Sequence, residues 1–445
     1  MASAAREHWS SRTGFVLAAV GSAVGLGNMW RFSYLAAENG GAAFVILYVG
    51  ITLVVGLPVL LAELVIGRGA QQSSVRALLH FGGSAWRPLG VLFVAAGFVI
   101  LSYYSVIAGW TVRYAYIVLS SGFSTAAADR FGDIATGWDA FGCHVLFMVV
   151  TVWIVAGGVK GGIERTATVL MPALFLIVAG LAVYAATLKG AGPGYAYYLS
   201  ADVSKLLHWS VLKDAAGQAF FSLSLGMGAM LTFASYLGRD QHLPNESLAI
   251  AGADLAIAFL AGLVVFPLIF ALGLEARVEE STVGALFITL PQAFAEMGGV
   301  GRVVGSLFFV ALVVGALTSA ISLLEVVVAS AIDGLGWSRG QAAVTCGTAI
   351  ALLGIPSAWS TDVLGVVDQL ANNLLLLTGG LALSIFVGWF MKDPVAEVSA
   401  GASGVRWFFL WRALLRFAVP AFLLFVLWYA VPETCDAVAG LFLAR

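Results

Sequence analysis

The chain has 445 residues, of which 61% are hydrophobic and only 10% are charged, and its mean hydropathy is +0.98. Soluble globular proteins carry about 25% charged and about 45–50% apolar residues, so this composition excludes a soluble enzyme and predicts a membrane protein. Lysine and arginine together number 22 against 24 acidic residues, which gives no sign of a nucleic-acid-binding surface. The three cysteines lie far apart and outside metal-ligand spacing, so we expect free buried thiols.

About eleven segments reach the roughly 20 mainly apolar residues that a membrane-spanning helix needs. Only short polar connections separate them, so the sequence predicts a single membrane domain over residues 1–445. In chain order the segments cover 13–35, 41–66, 88–120, 138–157, 164–188, 212–237, 246–274, 301–332, 341–356, 363–390 and 408–431. A loop at 189–211 and an amphipathic stretch near 282–297 are predicted to cap the outer face.

The basic residues of the loops predict the orientation in a cell membrane. With the N-terminus in the cytoplasm, most loop arginines and lysines fall on the inner side, as the positive-inside rule requires. An odd number of spans then places the C-terminus outside.

Segments 1 and 6 each contain a glycine-rich cluster near the middle. The first cluster runs from Gly21 to Asn28 and the second from Ser222 to Gly228. Glycine costs a helix about 1 kcal/mol relative to alanine, and a single cluster is more often a site of close helix packing. Two clusters at matching positions instead favour broken helices and an inverted-repeat transporter. The predicted repeats are 13–188 and 212–390, and 408–431 is an additional peripheral helix.

Broken helices offer free N–H groups to an anion and free carbonyl groups to a cation. Two facing breaks therefore suit an amino-acid zwitterion bound together with Na⁺. In segment 8, the hydroxyls of Thr318 and Ser319 supply oxygen ligands of the kind that a hard cation prefers. Hydroxyls in a lipid-buried helix also bond back to their own backbone, and the sequence leaves the two interpretations open.

These residues resemble the neurotransmitter:sodium symporter family, whose members have the LeuT fold with a 5+5 inverted repeat. The similarity runs, in order and spacing, from residue 6 to about residue 430. The matching strings are REHW (6–9), GSAVGLGNMWRF (21–32), ENGGAAF (38–44), GLPVLLAE (56–63), FFSLSLGMGAM (220–230), FITLP (287–291) and GALTSAISLLE (315–325). The resemblance implies an all-α polytopic membrane protein with about eleven transmembrane helices, of which helices 1 and 6 are broken at the bilayer midplane. It also implies sodium-coupled import by alternating access, most like bacterial members that carry many hydrophobic amino acids.

The resemblance also implies a site, residue by residue. A first sodium ion would bind Ala23, Asn28, Ser222, Asp254 and the substrate carboxylate. A second would bind Gly21, Val24, Gly315, Thr318 and Ser319. The substrate would contact Ala23, Gly25, Leu26, Gly27, Ile100, Tyr104, Phe221, Ser222, Ser224, Met227, Ser319 and Leu323. The outer gate would comprise Arg31, Phe221 and Asp368, the inner gate Arg6, Ser235, Tyr236 and Asp333, and a hinge Gly162 and Pro172.

Gly25 stands where monoamine-carrying members have an aspartate. Without that side chain, the substrate must bring its own carboxylate to complete the first sodium shell, which argues for an amino acid. A transporter of betaine-like osmolytes or of monoamines remains an alternative. Because the expected side-chain pocket holds no charged group, we expect aromatic and branched amino acids to bind. A larger side chain at Gly226, next to Met227, is expected to exclude tryptophan before leucine.

Asp254 stands where the leucine-transporting relative has an asparagine. Tyr48, Gln218 and Ser222 match other positions of the family's chloride site. A carboxylate at Asp254 would supply a fixed negative charge and make chloride unnecessary, and its protonation after sodium leaves would allow proton counter-transport. The alternative is a buried acid that is merely paired locally, but intramembrane acids are expensive and mostly functional.

Several simpler interpretations stay open. Arg31 could snorkel towards the lipid headgroups, and Pro172 could be an ordinary helix kink. A channel or passive facilitator would share the pore-lining glycines, although it would not need the adjacent hydroxyls of segment 8. No HExxH, GxSxG or Walker motif occurs, so we predict no enzyme activity and no organic cofactor.

Overall fold

The structure is a computed structural model that describes residues 6–124, 126–201, 204, 206, 208–273, 285–400 and 407–443. Within these ranges the elements are helical, apart from one isolated antiparallel bridge between Gly41 and Ala201. Nine of the described helices are long and apolar enough to cross a membrane, and a tenth crossing is a bent pair. The predicted all-helical, polytopic architecture is confirmed.

The spans keep the numbers of the predicted segments. Span 1 is the pair Arg12–Ala23 and Gly27–Glu38, which meet at a bend of 56°. Span 6 is the pair Trp209–Ser222 and Ala229–Ala234, each too short to cross alone. The continuous spans are Ala42–Ala70 (span 2), Ser84–Ser120 (3), Gly137–Ala156 (4), Val159–Ala186 (5), Leu243–Ala271 (7), Gly298–Leu335 (8), Arg339–Trp359 (9), Thr361–Phe390 (10) and Phe408–Leu441 (11). Shorter helices cover Ser74–Gly82, Ala127–Ala135, Ala191–Leu199, Leu290–Glu296 and Pro394–Ser399.

The spans differ in how far they are enclosed by the protein. In the most apolar stretch of span 8, 78% of the residues are buried, and in span 3 the share is 67%. The corresponding shares are 28% in span 5 and 33% in span 11. Spans 3 and 8 therefore lie inside the bundle, beside the broken spans, while spans 5 and 11 turn most of their apolar surface outwards.

Serine residues cap the N-termini of spans 1 and 10. The Ser11 hydroxyl accepts a hydrogen bond from the Gly14 amide at 2.9 Å, and the Ser360 hydroxyl accepts one from the Val363 amide at 3.3 Å. These caps satisfy amide groups that the first helical turn leaves without a partner.

The two predicted outer caps are partly described. The helix Ala191–Leu199 lies in the first, where the Tyr197 hydroxyl donates to the Ala37 carbonyl at 2.6 Å. In the second, the Phe287 carbonyl accepts a hydrogen bond from Tyr114 of span 3 at 2.7 Å. The remaining parts of these predictions, at 202, 203, 205, 207 and 282–284, lie outside the described residues.

The cysteine expectation is only partly confirmed. All three thiols are free, but Cys346 alone is buried, Cys143 is half-buried and Cys435 is exposed on span 11.

Candidate functional site

The helical path of span 1 ends at Ala23 and resumes at Gly27. Val24 is extended, with φ −83° and ψ 101°. The Gly25 amide then donates to the Asn28 side-chain oxygen at 3.0 Å, and the Leu26 amide donates to the Tyr104 hydroxyl at 3.4 Å. Amides released by the break thus find side chains as partners, and both of these side chains belong to the predicted site.

Span 6 breaks between Ser222 and Ala229. Three residues in the break have positive φ: Ser224 at 54°, Gly226 at 76° and Gly228 at 70°. Glycine adopts this conformation without steric cost, which explains the repeated glycine here. The Ser224 hydroxyl donates to the Ser22 carbonyl at 2.8 Å, so the two breaks are in direct contact. The predicted interruption of helices 1 and 6 is confirmed.

Glu63 of span 2 holds the break of span 6 open. Its buried carboxylate accepts the Gly226 amide at 2.9 Å and the Leu231 amide at 3.2 Å. Charge-assisted hydrogen bonds of this kind are stronger than neutral ones, and they satisfy amides that the broken helix leaves free. Glu63 therefore acts as a fixed cap inside the membrane-spanning part of the protein.

Asp254 of span 7 joins the two broken spans. Its carboxylate accepts hydrogen bonds from the Asn28 side-chain nitrogen at 2.7 Å, the Ser222 hydroxyl at 2.6 Å and the Tyr48 hydroxyl at 2.8 Å. All four side chains are buried. The structure thus brings the side chains of the predicted first sodium site together, and Gln218 lies next to them, with its amide nitrogen 2.9 Å from the Gly27 carbonyl.

The neighbouring hydroxyls of span 8 behave differently from one another. The Ser319 hydroxyl crosses to span 1, where the carbonyl oxygens of Gly21 and Ser22 lie at 3.4 and 3.3 Å. The Thr318 hydroxyl donates to two carbonyls of the preceding turn of its own helix, at 3.1 Å each. Bonding back to the helix's own backbone, one of the two interpretations that the sequence left open, therefore describes Thr318, while the Ser319 hydroxyl bonds to span 1.

The Gly21–Val24 end of the break and span 8 approach each other closely. A Cβ added to Gly21 would lie 3.1 Å from the Thr318 Cβ, and one added to Gly315 would lie 3.7 Å from the Val24 carbonyl oxygen. The residues of the predicted second sodium site thus share one location. Their donors are carbonyl and hydroxyl oxygens, which suit a hard cation.

The space beside Gly25 is bounded by hydroxyl groups. A Cβ at Gly25 would lie 2.4 Å from the Ser319 hydroxyl oxygen and 3.0 Å from the Tyr104 hydroxyl oxygen. The predicted apolar contacts Ile100, Met227 and Leu323 are all buried, with exposed fractions of 1%, 2% and 4%.

Gly226 corrects one expectation. A Cβ there would lie 2.1 Å from the Leu376 carbonyl oxygen of span 10, so this glycine is needed for close helix packing. Replacing it would displace span 10, and it is therefore unsuited to tuning the size of the pocket.

The residues of the predicted inner gate contact one another. Arg6 pairs with Asp333 at 2.9 Å and donates to the Ser235 hydroxyl at 2.6 Å, and its guanidinium lies over the Tyr236 ring at 4.8 Å. Asp333 also accepts the Ser73 amide at 2.6 Å, so the same carboxylate ties the N-terminal segment and the loop after span 2 to span 8.

Three charged residues that the sequence analysis missed extend this inner network. Arg339 pairs with Glu325 at 2.8 Å and with Glu7 at 2.7 Å. Glu325 also accepts the Tyr236 hydroxyl at 2.5 Å, while Glu7 accepts the Val159 amide at 2.6 Å. The cost of an acid inside a spanning helix was the sequence signal that could have identified Glu325, and it applies equally to Glu63.

The outer gate residues are arranged differently. The Arg31 guanidinium lies 5.3 Å from the centre of the Phe221 ring, and a Cβ at Gly27 would touch that ring at 2.7 Å. Asp368 accepts a hydrogen bond from the Asn372 side chain at 2.7 Å. Within the described ranges, Arg31 and Asp368 form no ion pair with each other, and one Arg31 nitrogen is buried without a partner.

The hinge residues lie in a continuous helix in this conformation. Span 5 runs from Val159 through Pro172 to Ala186 without interruption. At Gly162, a Cβ would lie 1.9 Å from the Ile154 carbonyl oxygen of span 4, so close packing already requires glycine there. Unwinding of this end stays a prediction about another conformation.

Residues 6–130 and 127–438 match the sodium:neurotransmitter symporter family. The uncharacterized sodium-dependent transporter YhdH of Bacillus subtilis is 36% identical over 442 residues, which cover 94% of this chain and 96% of that protein. An uncharacterized sodium-dependent transporter of Haemophilus influenzae is 32% identical over 449 residues, which cover 95% of this chain and 97% of that protein. The crystal structure of MhsT in complex with L-phenylalanine is 43% identical, with a TM-score of 0.88, and covers 96% of this chain and 100% of that one. The chain thus belongs to the sodium:neurotransmitter symporter family and is a multi-pass, sodium-dependent membrane transporter with the LeuT fold.

Proposed function

We propose that this protein imports hydrophobic and aromatic L-amino acids together with sodium ions, by alternating access. The observation that carries this proposal is the polar space where the breaks of spans 1 and 6 face each other, bounded by Tyr104 and Ser319. The complex of MhsT with L-phenylalanine, at 43% identity, supports the same class of substrate. The predicted inverted repeats, 13–188 and 212–390, belong to this proposal.

The carboxylate of the substrate binds at the start of the second half of span 1. The Leu26 amide and the Tyr104 hydroxyl, now 3.4 Å apart, would both turn to it. The N-terminus of a helix carries a partial positive charge, which favours a carboxylate there. The ammonium group binds the carbonyl groups of Ala23, Phe221 and Ser222, with Ser224 nearby.

Two sodium ions accompany the substrate. The first binds among Ala23, Asn28, Ser222 and Asp254, where the substrate carboxylate completes its shell. The second binds between the carbonyls of Gly21, Val24 and Gly315 and the hydroxyls of Thr318 and Ser319. The Thr318 and Ser319 hydroxyls donate their protons to backbone carbonyls, and each keeps oxygen lone pairs that can coordinate the ion.

Chloride is unnecessary in this mechanism because Asp254 already places a carboxylate beside the first sodium site. Asn28, Ser222 and Tyr48 donate to that carboxylate, and it forms no ion pair with any residue that the structure describes. When sodium leaves to the cytoplasm, Asp254 takes up a proton and carries it outwards in the returning, empty transporter.

The gates give the cycle its direction. The paired Arg6 and Asp333 form the cytoplasmic gate of this scheme, and Arg31 and Asp368 form a pair once substrate binds under the Phe221 ring. Opening inwards requires the Arg6 network to break and the Gly162 end of span 5 to release. The N-terminus is cytoplasmic and the C-terminus external in this scheme.

Uptake into proteoliposomes tests the proposal. Radiolabelled leucine and tryptophan should accumulate above equilibrium only with an inward sodium gradient. In detergent, both should bind in sodium buffer and not in potassium buffer. Betaine and a monoamine serve as competitors. If betaine or the monoamine binds and leucine does not, the protein transports another small zwitterion or an amine. If the amino acids equilibrate without sodium and do not accumulate, the protein is a passive facilitator.

A further inference from the structure

A groove opens on the Arg6 side of the protein, away from the substrate site. It lies between the short helix Ser74–Gly82, the beginning of span 3 and the end of span 8, and its volume is about 830 Å³. Its walls are mainly aliphatic, with Leu79, Val91 and Val327 among them. An apolar groove of this size on a membrane protein accommodates part of a lipid acyl chain.

The rim of the groove is positively charged. Arg76, His80 and Arg87 line it, and no aspartate or glutamate is among its described lining residues. Both arginines are exposed and make no ion pair or side-chain hydrogen bond within the described part of the chain. Two such guanidinium groups above an aliphatic wall match a phosphate joined to a hydrocarbon chain.

The position of the groove also suits a lipid. The helix Ser74–Gly82 buries Ala77 and Leu78 and exposes Arg76 and His80, as helices at a membrane surface do. This is the side that the loop charges predict to be cytoplasmic, where anionic lipids attract basic residues.

We propose that this groove binds one anionic phospholipid of the inner leaflet, with its phosphate between Arg76 and Arg87 and an acyl chain along the aliphatic wall. The site shares a wall with the inner gate, because Ser73 and Ser330 line the groove and Asp333, between Ser330 and the end of span 8, accepts the Ser73 amide. A lipid that bridges these elements favours the inner-closed conformation, since it contacts the loop and span 8 only while they are together.

Native mass spectrometry of the full chain in detergent tests the proposal. The protein is titrated with phosphatidylglycerol or with phosphatidylcholine of the same acyl chains. We expect one phosphatidylglycerol to bind in preference, and roughly tenfold weaker binding in the double variant Arg76→Gln/Arg87→Gln. The control Arg165→Gln/Lys392→Gln removes two exposed inner-side charges outside the groove and should bind as the wild type does.

Each other outcome overturns the assignment. Equal binding of the two lipids would show that the arginines do not select a headgroup, and unchanged binding in the Arg76/Arg87 variant would place the lipid elsewhere. An equal loss in the control would indicate diffuse attraction to net charge, and equal competition by soluble glycerol phosphate would indicate a phosphate site without a lipid. Because Arg76 and Arg87 are both exposed, we expect the variants to fold. A normal size-exclusion profile and sodium-dependent leucine binding check this.

Discussion

The two helix breaks are held open by different kinds of groups. At the break of span 1, the amides of Gly25 and Leu26 bond to Asn28 and Tyr104, neutral side chains that we assign to sodium and substrate binding. At the break of span 6, two amides bond to the carboxylate of Glu63, which we assign to neither. Under these assignments, we expect the first set of contacts to exchange during transport and the second to persist.

This difference suggests how one site combines rigidity with turnover. At the break of span 6, a buried carboxylate accepts two backbone amides in strong hydrogen bonds, so we expect its shape to persist. In our proposal, the substrate carboxylate and a sodium ion replace the groups that satisfy the break of span 1. Substitutions at the two breaks should therefore separate loss of folding from loss of binding.

The largest effect is expected at Glu63. In Glu63→Ala, the buried amides of Gly226 and Leu231 lose their acceptor, at a cost of about 1–3 kcal/mol each. We expect a lower melting temperature in detergent, with leucine binding lost in parallel. Glu63→Gln keeps one acceptor oxygen, so its melting temperature should lie between those of the wild type and Glu63→Ala. A variant that keeps its melting temperature but loses binding would show that Glu63 belongs to the exchangeable contacts.

The sequence predicted the breaks well, because two glycine clusters occur at matching positions of segments 1 and 6. Positions 21–28 and 222–228 both proved to be interrupted, and span 6 is recognisable only through its two short helices. Glu63 was missed although it lies in a string that supported the family resemblance. Its role depends on contact with span 6, more than 160 positions away in sequence, which no local pattern encodes.

The second effect concerns Gly25 at the exchangeable break. A Cβ in Gly25→Ala would lie 2.4 Å from the Ser319 hydroxyl oxygen, so it occupies space that the zwitterion needs. We expect leucine affinity to fall by more than about tenfold, equal to about 1.4 kcal/mol, with little change in melting temperature. Gly252→Ala is the matched control, since a Cβ there meets no atom within 4 Å. A large drop in stability for Gly25→Ala would mean that this break is as rigid as the other.

The site was less predictable than the fold, and the two hydroxyls of span 8 show why. Thr318 and Ser319 are adjacent, yet one bonds within its helix and the other crosses to span 1. Successive residues on a helix point about 100° apart, so their partners depend on how the helix is rotated against its neighbours. The sequence does not encode that rotation locally. Gly226 was misjudged for the same reason, because its neighbour is the backbone of span 10.

Asp254 accepts hydrogen bonds from Asn28 and Ser222, which lie beside the breaks of spans 1 and 6. Its replacement tests whether ion binding depends on this link between the two breaks. In Asp254→Asn, the fixed charge between Asn28 and Ser222 is lost, so sodium binding should weaken roughly tenfold in chloride-free medium. Chloride should restore part of that loss, and uptake should no longer respond to the internal pH. Sodium titrations of leucine binding with chloride or gluconate, and uptake at two internal pH values, provide the measurement. If neither chloride nor pH distinguishes the variant from the wild type, Asp254 is only a structural link.

The smallest effect is expected at Tyr104, whose hydroxyl accepts a hydrogen bond from the Leu26 amide at 3.4 Å. Tyr104→Phe removes one hydrogen-bonding group but keeps the ring, so leucine affinity should fall by about two- to tenfold, corresponding to about 0.5–1.5 kcal/mol. Decarboxylated analogues of leucine isolate the contact, because a hydroxyl that binds the carboxylate cannot contribute to their affinity. The variant should therefore lose affinity for leucine and leave the weak binding of isopentylamine unchanged. Equal losses of affinity for leucine and isopentylamine would show that Tyr104 contacts another part of the ligand and does not bind the carboxylate.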